Sequence, residues 1–329
     1  MKKNLCLISS LILLLLSCRN LKTDWMSVNC QYCPPVGYRY LFAGPDKESV
    51  GGLEDNNEGY VDFIGMPAGI SMYTSLKDLQ QLPYIDVPAF RNVMIALGLN
   101  LQDELREINA GSYDKEIRQM GKWIKASGRP VFLNIGYDFD SKGNHYEPSE
   151  YRAAFIRITN ILREGDVRNF RTLWQSSGRS RPGEPLTSWY PGDEYVDWMG
   201  YSYDHRERDE EASVGLSRNE PGTEMRRLAS ERSIPVFIWD ASPRGYDAMK
   251  DESQEVWDSW YKPFFQHIED YADLIKAVSY SNKLTEGNDA RIQAYPLIRK
   301  RWTREIRKPA WVHRTILEEN KEFKPQELK

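Results

Sequence analysis

An alternation that starts near residue 37 constrains this chain more than any other feature. Eight short apolar runs, at 37–43, 68–74, 91–98, 130–137, 169–175, 195–203, 234–240 and 275–281, are separated by stretches with helical spacing. Continuous apolar runs of this length fit strands buried on both faces, and such parallel strands need covering helices between them. Residues 113–127 place Ile117, Met120, Trp123 and Ile124 on one face. Residues 148–164 do the same with Tyr151, Phe155, Ile158 and Leu162 behind a Pro148-Ser149-Glu150 start signal. Further helical stretches are expected at 221–232, 252–273 and 291–306. Eight strand–helix repeats within residues 36–310 predict an α/β protein, a single-domain (β/α)8 TIM barrel, in preference to an open doubly wound sheet. No Gly-x-Gly-x-x-Gly follows the first strand, which argues against a dinucleotide site.

A barrel concentrates its chemistry at the C-terminal ends of its strands. The fourth run ends in Tyr137, Asp138 and Asp140, and the seventh in Trp239 and Asp240. The fifth ends in Trp174 and Gln175, the sixth in Tyr201 and Tyr203. Two strand-end acids accompanied by aromatic rings are the equipment for holding or cleaving a sugar. Asp138 and Asp240 are therefore the candidate acids of that site, whether it cleaves or only holds its sugar. Tyr137, Asp140, Trp174, Gln175, Tyr201, Tyr203 and Trp239 are the expected substrate contacts, with Tyr203 either orienting the Asp240 carboxylate or packing. The implied partner is a polysaccharide or oligosaccharide. No His, Cys, Asp and Glu cluster has metal spacing and no Gly-x-Ser-x-Gly elbow occurs, so neither a metal nor another cofactor is expected. A net charge of −4 with no basic block argues against a nucleic-acid partner.

The N-terminus carries a second message. Met1-Lys-Lys is followed by an apolar core at 7–16, too short to span a bilayer, and then by Leu15-Leu16-Ser17-Cys18. This is the form of a bacterial lipoprotein processing site. It predicts a signal peptide over 1–17, a lipid on Cys18 that anchors the chain to the membrane, and residence in the cell envelope. Removal of 1–17 deletes Lys2 and Lys3 and no acid, which takes the net charge to −6. Residues 18–35 read as a tether and 311–329 as a C-terminal tail. Cys30 and Cys33 are two thiols without a neighbouring His, which excludes a structural zinc of the usual kind. In an oxidising compartment a local disulfide is expected, with two free thiols as the alternative.

The order of motifs resembles a known family. Gly136-Tyr-Asp-Phe-Asp140 is followed by Asn144-His-Tyr146, by a helix with Tyr151 and Phe155, and by Trp174-Gln-Ser176. Then come Trp189-Tyr-Pro-Gly-Asp-Glu-Tyr-Val-Asp-Trp-Met-Gly200 and Pro235-Val-Phe-Ile-Trp-Asp-Ala-Ser-Pro-Arg-Gly-Tyr246. Over most of 36–310 this is similar to glycoside hydrolase family 26, the β-mannanase family. The resemblance implies a (β/α)8 barrel that hydrolyses mannan-like β-glycans with retention. It also implies a Glu acid/base at the end of strand four and a Glu nucleophile at the end of strand seven. Here those positions hold Asp138 and Asp240, Asn134 stands where Arg is expected, and Ser281-Asn-Lys-Leu284 lacks the platform Trp after strand eight. Shortening both acids leaves three readings: a backbone moved inward to compensate, an inverting or otherwise altered hydrolase, or a surface barrel that binds glycan without cleaving it.

Overall fold

The structure is a computed structural model that describes residues 30–179, 184–204, 221–244, 253–313, 315–317 and 323–325. The expected leader at 1–17, Cys18 and the charged stretch at 205–211 lie outside the described residues.

The eight apolar runs become eight strands: β1 (Arg39–Gly44), β2 (Gly69–Ser75), β3 (Met94–Asn100), β4 (Val131–Ile135), β5 (Phe170–Ser176), β6 (Trp198–Ser202), β7 (Val236–Ala241) and β8 (Ile275–Ser281). They pair in parallel in sequence order, and β1 also pairs with β8 from Tyr40↔Ala277 to Gly44↔Ser281, which closes the barrel. The predicted (β/α)8 TIM barrel is the fold observed.

The helical stretches fall where their apolar spacing puts them. Helix α1 (Asp114–Ser127) buries Ile117, Met120, Gly121 and Ile124 and ends at Gly128, whose φ of 62° makes it a left-handed cap. Helix α2 (Pro148–Glu164) opens with Pro148 and buries Tyr151, Ala154, Phe155, Ile158 and Leu162. Helix α3 is Thr223–Arg232 and the last helix is Pro296–Ile306. The single helix expected over 252–273 is instead broken into Ser253–Val256, a π-turn at Trp257–Tyr261 and Lys262–Asp270. Pro263 has no N–H for the Ser259 carbonyl, so the ladder widens at that point.

Side chains alternate between the barrel interior and the surrounding helix layer. The interior cluster holds Tyr40, Phe42, Met94, Ala96, Phe132, Leu173, Trp198, Phe237 and Trp239. Its centre is aromatic: Phe132 meets Phe42, Trp198 and Phe237 edge-on at centroid distances of 5.7, 4.9 and 5.5 Å. Edge-to-face rings add attraction beyond the area they bury.

Two boundaries differ from the sequence expectation. Cys30, Tyr32 and Cys33, read as the end of a tether, pack against the lower interior of the barrel. Tyr32 sits 6.4 Å from the Phe132 ring with Arg171 stacked 4.9 Å over it, and Cys30 and Cys33 are joined in a disulfide. At the other terminus, Trp311–Val312 adds a parallel strand to the start of β1. The folded unit thus runs from at least Cys30 to at least Val312.

Candidate active site

The upper end of the barrel interior changes from aromatic to polar, because the last inward position of several strands is a hydrogen-bonding residue. β4 supplies Asn134, β5 supplies Gln175, β6 supplies Ser202 and β8 supplies Ser281.

Asp138 follows β4 and has a left-handed backbone, with φ of 48°. Asp tolerates that region better than most residues, and such conformations cluster at functional sites. Gln175 fixes the turn: its Oε1 accepts from the Asp138 backbone N–H at 2.8 Å and from Asn134 Nδ2 at 3.1 Å. Its Nε2 donates to Asp138 Oδ1 at 2.6 Å and to Ser202 Oγ at 2.9 Å. Ser202 Oγ donates to the same Asp138 Oδ1 at 2.8 Å. Both side-chain donors therefore sit on one oxygen, and Oδ2 is left for a proton. Asn144 Nδ2 holds the turn from outside by donating to the Tyr137 and Asp138 carbonyls at 2.9 and 2.8 Å.

Asp240 reaches the same mouth by a different device. The register between β7 and β8 shifts between Ile238 and Ala241, and Asp240 there has φ of 49°. This bulge breaks the alternation, so Trp239 and Asp240 both turn inward. A hydrogen bond from Ser281 and the charges of Arg244 and Lys283 favour its ionised form.

Burial raises both carboxyls, but different neighbours act on each. Burial pushes Asp138 up to about 7; Gln175 and Ser202 oppose the rise, and the Asp240 and Asp140 charges add to it. Burial also raises Asp240, with Asp204 adding to the rise while Ser281, Arg244 and Lys283 counter it. Both residues are partly exposed, but protein atoms crowd their carboxyls, so desolvation leads in both. The strongest influences on Asp138 are neutral donors and other carboxylates, whereas Asp240 has two cations in reach. Glycosidic cleavage needs one protonated and one ionised carboxyl, and only Asp240 has cations opposing the effect of burial.

Tyr73, on β2, was not singled out from the sequence. It lies opposite Gly98 in the β2–β3 register, its ring 4.7 Å from Tyr137 and 6.0 Å from Trp239. Trp239 Nε1 donates to its hydroxyl at 2.8 Å. Gly98 makes room for both rings: a Cβ there would stand 2.5 Å from Tyr73 Cδ1 and 3.2 Å from Trp239 Cζ2.

Asp138, Asp240, Tyr137, Gln175 and Trp239 are brought together at the mouth. Trp239 is only 1% exposed, so it forms the floor and offers no free face for a sugar. Asp140 is buried beside them, accepting from Ser176 Oγ and the Ser177 backbone N–H at 2.7 Å each, and ties the β4 and β5 loops. Trp174, Tyr201 and Tyr203 are not at the mouth. Gln175 and Ser202 face inward, so their neighbours must face the helices. Trp174 is fully buried and stacks on Phe139 at 4.7 Å. The Tyr201 hydroxyl lies 2.7 Å from His267 Nε2. Tyr203 packs on Phe264 and His267 at 5.1 and 5.0 Å. A sugar reaching any of the three would have to displace core.

No family model matches the chain. Two curated β-1,3-xylanases, from a Vibrio and an Alcaligenes species, are 26% and 25% identical over 300 and 309 residues, each match covering 80% of this chain. The matches cover 65% and 64% of those proteins, so the chain spans just under two thirds of their length. Among solved structures, a family 26 β-mannanase from Bacteroides ovatus superimposes with a TM-score of 0.61 at 12% identity, over 84% of this chain and 91% of its own. A modular endo-β-1,4-mannanase from Cellulomonas fimi gives 0.62 at 14% identity, over 84% and 72%. The chain resembles glycoside hydrolase family 26. At these identities the structural likeness establishes the barrel alone. Among the described residues no group of three or more His, Cys, Asp and Glu side chains is arranged to hold a metal ion.

Proposed function

We propose that this barrel hydrolyses a β-linked glycan at the mouth formed by Asp138 and Asp240. The observation that carries the reading is the state of Asp138. It is a carboxylic acid raised to about 7, with both side-chain donors on Oδ1 and Oδ2 left for the proton, above the same floor as a partner acid flanked by cations. Asp138 donates its proton to the glycosidic oxygen as that bond breaks. Asp240 supports the positive charge developing at the anomeric carbon, either by bonding to it or by taking a proton from the attacking water. Those alternatives need carboxyl separations of about 5–5.5 Å and about 6.5–9.5 Å respectively, and an acid one methylene shorter than Glu favours the wider gap.

The solved relatives named above are mannanases and the curated ones are β-1,3-xylanases, which supports a neutral β-glycan and widens the candidates beyond mannan. The test is reducing-end release from β-1,3-xylan, β-1,4-mannan, β-1,4-xylan and β-glucan, with Asp138→Asn as control. Release that disappears in the control supports the assignment. Release that survives removes Asp138 from the acid role, and tight binding without release makes the protein a glycan-binding barrel. The proposal includes display on the cell envelope by a lipid on Cys18, supported by the Leu15-Leu16-Ser17-Cys18 signature. Cys18→Ser should move the protein from the membrane to the soluble fraction, and unchanged membrane association would refute the anchor.

A further inference from the structure

We propose that Tyr73 is a substrate-binding residue of this mouth, its hydroxyl donating a hydrogen bond to an uncharged sugar oxygen held between Asp138 and Asp240. The inference rests on the reading of the mouth as a glycan site, and it adds a residue from β2 that neither acid motif includes.

Three observations converge on the phenol. Burial holds its pKa well above the ordinary tyrosine value, and the charges of Asp240 and Asp138, both within electrostatic reach, add to the rise. Tyr73 is therefore protonated at every pH at which a glycan would bind, and always has a proton to give. Its oxygen already accepts from Trp239 Nε1 at 2.8 Å, which orients the hydroxyl and leaves the O–H for another partner. The ring is fixed before any ligand arrives, by Tyr137 at 4.7 Å, by Trp239 at 6.0 Å and by the bare backbone of Gly98 beneath it. A donor fixed in advance loses little freedom on binding.

The chemistry also selects a phenol. A lysine between the acids would pull the Asp138 pKa down and discharge the proton the leaving oxygen needs. A second carboxyl would repel both. A neutral donor holds a sugar oxygen without disturbing either protonation state.

The test is Tyr73→Phe, which keeps the ring and its packing and removes only the hydroxyl. The probes are β-1,3-xylooligosaccharides and β-1,4-mannooligosaccharides, with affinity measured by calorimetry and turnover on whichever is cleaved. The expected result is a loss of about tenfold to a hundredfold in affinity, and in kcat/KM where there is turnover, as for removal of a hydrogen bond in a partly desolvated site. The loss should be uniform across the pH profile, with Asp138 still titrating near 7 and the melting temperature kept within a few degrees. Affinity and kcat/KM within about twofold of wild type would overturn the assignment while leaving the hydrolase reading intact. A loss confined to one limb of the pH profile would also overturn it, by showing that Tyr73 acts through the acids. Cleavage absent but binding weakened by Tyr73→Phe would refute the hydrolase reading alone, and wild-type protein that neither binds nor cleaves either oligosaccharide refutes both.

Discussion

Replacing Ser202 with Ala removes one of the two side-chain donors to Asp138 Oδ1, the 2.8 Å bond from Oγ. That donor favours the ionised carboxylate, so its loss raises the pKa further. A hydrogen bond to a charged group contributes about 1.5–3 kcal/mol, and one pKa unit corresponds to about 1.4 kcal/mol. Gln175 remains in place on the same oxygen, which keeps the expected rise near the lower limit, at about one unit above the wild-type value. The alkaline limb of kcat/KM should move upward by that amount, because the active form carries the proton on Asp138. Stability should follow the same titration. The folded-state pKa of about 7 lies above the ordinary value of 3.8, so the folded protein holds a proton that the unfolded chain has released. The contribution is complete below the unfolded pKa and is lost as pH rises through 7. The melting temperature should therefore fall between about pH 5 and pH 8, extend that fall to higher pH in Ser202→Ala, and lose it in Asp138→Asn. Melting curves across this range settle the point. An unchanged slope in Asp138→Asn, or a limb moving downward in Ser202→Ala, would refute the claim that burial keeps this acid protonated.

Two further substitutions probe the placement of side chains. Trp174→Ala should lower stability by about 3–5 kcal/mol, as loss of a buried aromatic does, while glycan affinity of the folded protein stays within about twofold. An affinity loss above about tenfold, measured well below the melting temperature, would return Trp174 to the mouth. Gly98→Ala places a methyl 2.5 Å from the Tyr73 ring, too close for either to stay, and should cost about 1–3 kcal/mol in stability together with most of the glycan affinity. A structure of that variant with Tyr73 unmoved would show the packing argument to be wrong.

The barrel was legible because strands covered on both faces leave continuous apolar runs, and all eight were found. The same property hid the phase of each strand. When both faces are apolar, sequence does not reveal which of Trp174 and Gln175 points inward, so both were expected at the mouth and only Gln175 is there. Asp138 and Asp240 were legible as strand-end acids, but the bulge that turns Trp239 and Asp240 the same way has no sequence signal short of the backbone itself. Tyr73 was missed because its strand ends in Thr74 and Ser75, with no acid to mark the tip. Gly98, directly across from it on β3, was a usable clue: a glycine inside a strand signals that something bulky approaches. Pro263, visible from the start, gave warning that residues 252–273 would not form one helix.

The packing of Tyr32 and the Cys30–Cys33 bridge beneath Phe132 sets a direction for the whole molecule. The polypeptide arrives at the barrel's sealed base, where Arg171 and Phe132 grip it, and the acids open at the far pole. Residues 30–33 thus plug one pole and leave the other clear of their own backbone, so a long polymer could cross the acids without meeting this segment.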